Sequence, residues 1–219
     1  MSTQPTPLRG RQVLLTATAW HEAGHALAAM RESRPIQYVR IHFDKPGTGQ
    51  TMYRHGWPER RFCPKHSPGN ARAVWEEEVA HHLSVLRVLL AGPLAEARKL
   101  GKPMRALGGW YDFEDTWWLA QSLMEVQVSL REHGVYFVPN VPAIFNAESR
   151  RVRHWLARPV TWSAINRIAE ELLDKGELGA SDVLRCYLCA RNQTQLPLGL
   201  DWTSEEDESE DWAHERAAA

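Results

Sequence analysis

His21 and His25 stand four residues apart inside an unbroken helical pattern, and that spacing constrains this chain more than any other feature. From Gln12 to Met30, Val13, Leu14, Ala17, Trp20, Ala23 and Leu27 recur near helical period with no proline among them. Four residues turn a helix by about 400°, so both imidazoles leave the same face and can bind one zinc ion. Glu22 completes the H-E-x-x-H pattern as His21-Glu22-Ala23-Gly24-His25. Its carboxylate points beside the metal, where it can take a proton from zinc-bound water. Gly24 costs the helix about 1 kcal/mol relative to alanine. A small residue there is sensible if another backbone or a substrate must come close.

The 219 residues suit one domain, and an apolar fraction of 43% is enough for a core. The net charge of -1 gives no global pull toward nucleic acid or an anionic membrane. No apolar run approaches the roughly 20 residues of a membrane helix. Met1 to Gly10 is polar, carries Pro5 and Pro7, and lacks the apolar centre of a signal peptide, so a cytoplasmic location is expected. Three cysteines are too few and odd in number for a disulfide scaffold. Ten tryptophans are many for this length and read as core and groove-lining side chains.

The expected organisation is a disordered stretch over 1–10, one domain over 11–195 and a disordered acidic tail over 196–219, where Ser-Glu-Glu-Asp-Glu-Ser-Glu-Asp dominates. After the first helix, Ile36 to Phe43 alternates as a strand, and Thr51 to Arg54 returns as a second. Asn70 caps a helix to about Ala91, where Gly92-Pro93 breaks it and Pro93 starts another to about Leu100. Asp112 opens a helix toward Glu132. Gly134 to Pro142 is extended. Helices follow over Glu148–Leu156, Thr161–Lys175 (ended by Gly176) and from Ser181 toward Arg191. The fold class is mainly α (α+β): a helical domain with a small antiparallel β-hairpin after the H-E-x-x-H helix.

A catalytic zinc usually has three protein ligands and one open position. A carboxylate must therefore join His21 and His25, and Glu76, Glu77, Glu78, Glu96, Asp112, Glu114 and Asp115 are the candidates. Spacing alone does not choose between them. Asp112 is attractive because Gly108 and Gly109 permit a tight turn just before it, although an Asp at a helix start is ordinarily a cap. Glu96 could instead steady a ligand histidine, though local pairing is its more ordinary role.

Four stretches, in order, resemble the zinc domain of the FtsH peptidase family (peptidase family M41). Thr18 to Ala29 looks like its zinc helix. Val39 to Tyr53, with Lys45-Pro46-Gly47 and Gly49, is similar to its strand, turn and return strand. Leu89 to Glu96 resembles its Gly-Arg-Ala-Ala-Glu helix, with Pro93 in place of the arginine. Gly108 to Thr116, followed by Leu119-Ala120, resembles its third-ligand helix start, with Tyr111 where a polar residue is usual. The resemblance covers roughly residues 12 to 190, and the first and fourth stretches are its specific parts. It implies Zn²⁺ held by His21, His25 and Asp112, with Glu22 as the catalytic base. These 219 residues contain no Walker A loop or AAA ATPase module.

The expected function is thus a zinc metallopeptidase cleaving peptide bonds by glutamate-assisted attack of zinc-bound water, independent of ATP on its own. Its alternative is a catalytically silent zinc-binding regulatory or peptide-binding module on the same fold. Expected partners are peptide or unfolded protein substrates, further copies of the chain or a separate ATPase, with neither nucleic acid nor membrane. Val39 to Phe43 could dock an extended peptide if it forms a sheet edge near the metal. Cys63, His66, Cys186 and Cys189 could form a second zinc site, although thiols in an apolar helix are more often simply buried. His81-His82 reads as a solvated helix face.

Overall fold

The computed structural model describes residues 8–54, 71–103 and 141–194. Among them are five helices and a small sheet: α1 (Leu8–Arg31), β1 (Ile36–Ile41), β2 (Gly49–Tyr53), α2 (Ala71–Leu100), α3 (Val141–Ala157), α4 (Pro159–Lys175), β3 (Glu177–Gly179) and α5 (Ala180–Thr194). The mainly helical α+β class is therefore observed. The stretches 1–7 and 195–219 lie outside the described residues, and residues 8–10, expected within a disordered stretch, instead form the first residues of α1.

Helix α1 is the axle of the fold. From Ala17 to Ala29 nearly every side chain is buried, because α2, α4 and the sheet all pack on it. A helix enclosed on all sides has no polar face to spare. Its run of alanines and Gly24 lets neighbours approach closely. A Cβ on Gly24 would lie 2.5 Å from the carbonyl oxygen of Ala91, so α1 and α2 meet backbone to backbone there. The close approach anticipated at Gly24 is made by α2.

Helix α2 is continuous through Pro93, which corrects the expected break. Proline removes one helical hydrogen bond. Burial on both sides of it holds the helix together: Leu86, Val88 and Leu90 precede it, and Leu94 and Ala95 follow, all packed in the core. His82 is buried too, and His81 stands against the Arg34 guanidinium, so this pair is no solvated face. Burial lowers the pKa of Arg34, which donates to the Ser84 hydroxyl at 3.0 Å.

The sheet has order β2-β1-β3, antiparallel throughout. The expected hairpin is present, and β3 adds a third strand that three residues were too few to announce. Gly176 ends α4 at φ 77°, and Leu178 then plugs the core opposite Val39. Strand β1 ends at Ile41 and is paired on both sides, so it offers no edge to a peptide. Among the described residues β2 is the edge strand beside the H-E-x-x-H helix.

Helix α3 begins at Val141, so its first residues are helical where an extended stretch was expected. It is tied to α2 by charge. Glu148, almost fully buried, accepts from Arg87 Nε at 2.5 Å and from Arg151 at 2.8 Å, and Arg87 also donates to Glu32 at 3.1 Å. Burial works against the Arg87 charge, but its bonds and proximity to Glu148 and Glu32 outweigh that and raise its pKa. Helix α5 starts at Ala180 rather than Ser181, and Asp182 reaches back to accept from the Gly179 N–H at 3.1 Å.

Candidate metal centre

The period of α1 sets His21 and His25 on one face, and the fold then fixes each ring through its Nδ1. His21 Nδ1 lies 2.9 Å from Glu96 Oε2 on α2. His25 Nδ1 lies 2.7 Å from the Val88 carbonyl oxygen, one helical turn before Gly92. Both partners are acceptors, so each Nδ1 carries the proton and donates it. In neutral rings this leaves both Nε2 atoms with lone pairs.

Those two Nε2 atoms face one another at 3.0 Å, with the rings 4.7 Å apart and inclined at 75°. At that distance the two nitrogens share a proton when one ring is charged, and can share a metal ion when both are neutral. Two imidazoles bound to zinc at about 2.0–2.1 Å bring their nitrogens roughly 3.3 Å apart at a tetrahedral angle. The observed spacing is shorter by a few tenths of an ångström. The donor set, its tautomers and its spacing fit zinc, and His21 and His25 are the residues that would hold it.

Ring packing is as constrained as ring chemistry. A Cβ on Gly92 would overlap the His25 imidazole, so only glycine leaves the ring its place against α2. Sequence reasoning took Gly92 for a helix breaker; its work is to make room. Glu96 steadies a histidine, the role judged less ordinary for it. Glu96 faces Nδ1 of His21, whereas His25 faces Nε2, so it would not join a metal held between the two Nε2 atoms.

Glu22 is buried, 6% exposed, between α1 and β2. The Thr51 hydroxyl lies 2.7 Å from Glu22 Oε2 and 3.1 Å from the Glu22 carbonyl oxygen. A Cβ on Gly49 would fall 2.7 Å from both Cγ and Oε1 of Glu22, so the side chain rests directly on the strand backbone. Gly49 fell within the family-like stretch, but no sequence argument linked it or Thr51 to Glu22.

Among the described residues no group of three or more His, Cys, Asp or Glu gathers as a metal site. Asp112, Glu114 and Asp115 lie outside the described residues, as do the side chains of Glu76, Glu77 and Glu78. So do Cys63 and His66. Cys186 is buried and donates weakly to Glu171, with burial first and that carboxylate second pushing its thiol up to about 12; Cys189 is exposed. No helix among the described residues is long and apolar enough to cross a membrane. In comparisons with known proteins, no family model matches the chain and no curated protein matches it.

Proposed function

We propose that this chain is a zinc-dependent metallopeptidase that hydrolyses peptide or unfolded protein chains without nucleotide. His21 and His25 hold the metal, Asp112 is the third ligand by the FtsH-type resemblance, and Glu22 is the base. The observation that carries the reading is the convergence of two Nε2 atoms at 3.0 Å, each ring locked by an acceptor on α2. When bound, zinc supplies Lewis acidity, activating water near neutral pH and polarising a carbonyl. Glu22 takes the proton of the attacking water and hands it to the leaving amine. Glu96 and the Val88 carbonyl keep both imidazoles in the metal-binding tautomer. The same reading extends to a cytoplasmic setting, and to self-assembly or a separate ATPase that delivers substrate.

Metal analysis and a peptidase assay on an unfolded chain test it together. Wild type should carry one zinc, and His21→Ala and Asp112→Ala should lose it. Glu22→Gln should keep zinc and fold while cleavage falls by at least about 100-fold. Zinc retained in Asp112→Ala would remove that ligand. Full activity in Glu22→Gln would remove the base. A zinc-loaded wild type that cleaves nothing in a broad peptide library would leave the silent binding module.

A further inference from the structure

We propose that Thr51 is a positioning residue for Glu22, and that the edge strand β2 is the mould that aims the general base. This rests on the peptidase reading for its catalytic meaning, but the geometry stands on its own. In β2 alternate residues face α1, and Gly49, Thr51 and Tyr53 are that set. Gly49 lies under Cγ and Oε1 of Glu22, while the Thr51 hydroxyl meets Oε2 at 2.7 Å. One carboxylate oxygen is thus hydrogen-bonded by Thr51, and the other packs against the Gly49 backbone of the same strand.

A hydroxyl suits this task because it both donates and accepts. Toward an ionised carboxylate, Thr51 donates its proton to Oε2. After Glu22 has taken a proton, the carboxylic O–H can donate to Thr51, whose own proton can then turn to the Glu22 carbonyl oxygen 3.1 Å away. The carboxyl group keeps its place while it holds the proton. Register makes the mould rigid: Thr51 pairs with Val39 and Gly49 with Ile41, both buried on the central strand.

Thr51→Val is the deciding variant, since valine keeps the branched shape and strand preference and loses only the hydroxyl. Zinc content should equal wild type. The expected result is about a 10- to 100-fold fall in kcat with KM unchanged, restoration by Thr51→Ser, and a Glu22 carboxylate displaced from β2 in the crystal structure of the zinc-loaded variant. Gly49→Ala, which leaves the hydroxyl intact, should displace the same carboxylate from the other side. A Glu22 carboxylate unmoved in Thr51→Val overturns the proposal whatever the rate, as does a Thr51→Ser variant no better than valine. If zinc-loaded wild type cleaves nothing, the peptidase reading fails, and the position of Glu22 in Thr51→Val alone then decides for or against the mould.

Discussion

Two polar clusters each join a pair of helices in this molecule, and they differ in almost everything else. Between α1 and α2, His21, His25 and Glu96 lie at or near full burial, their contacts are directional, Gly24 brings the backbones together and Gly92 makes room for the His25 ring. Between α4 and α5, Glu171 binds Arg185 with both oxygens, at 2.8 and 2.7 Å, and also takes Lys175 at 2.9 Å. There the side chains are half exposed: 49% for Arg185 and 46% for Lys175. Water can replace what the second cluster loses. It cannot reach the first so easily, and a donor stranded there costs about 1–3 kcal/mol. Exposure, more than the number of hydrogen bonds, therefore separates a site that can orient chemistry from a surface clasp.

If that is right, the largest effect should come from disturbing the helix contact under the histidines. In Gly24→Ala the new methyl group meets the Ala91 carbonyl oxygen at 2.5 Å and the Ala95 Cβ at 2.9 Å, and a helix backbone cannot swing aside as a side chain can. Alanine gains about 1 kcal/mol of helix propensity, but overpacking at an immovable partner should outweigh it. We expect a net loss of about 1–2 kcal/mol, a Tm lower by roughly 2–8 °C and weakened zinc binding. Thermal denaturation with and without zinc checks this. A stabilised Gly24→Ala protein would mean the helices are not in backbone contact.

A middle effect should follow from Glu96→Gln. Glutamine keeps an acceptor for His21 Nδ1 but removes the charge that raises the basicity of that imidazole. Zinc affinity should fall about 10- to 100-fold while the apo protein keeps its Tm within a few degrees. Competition titration against a chelator reads it out. Unchanged affinity would reduce the His21–Glu96 contact to packing.

The contrast also explains what could be read from the chain alone. The pairing of His21 with His25, and the ends of α1 near Met30 and of α4 at Gly176, are written locally, whereas both helices start earlier than periodicity marks, at Leu8 and Pro159. The partners of the site are not. Glu96 is 75 positions from His21, and Thr51 is 29 from Glu22. Nothing within a helical turn records either contact. Gly92-Pro93 carries a strong local signal for a break, and tertiary burial overrides it. His82 looks solvated by composition, yet the core reaches it. Strand β3 is too short to show a period, and its arrival is what makes β1 central and leaves β2, among the described residues, an edge beside α1.

The smallest effect belongs to the exposed cluster, and pH exposes it most cleanly. Hydrogen bonding from Arg185, outweighing partial burial and helped by Lys175 and Cys186, holds the Glu171 carboxyl at about 2, against an ordinary 4.5. A depressed carboxyl pKa adds stability that is fully present above about pH 4.5 and is lost as pH falls toward about 2. Comparing wild type with Glu171→Gln isolates that contribution. Because the partners are solvated, the difference near pH 7 should be no more than about 3 °C in Tm, should shrink in high salt, and should vanish as pH falls through and below about 2. A difference that persists at acid pH would show that packing, not charge, joins α4 to α5, and the two clusters would then be more alike than their exposure suggests.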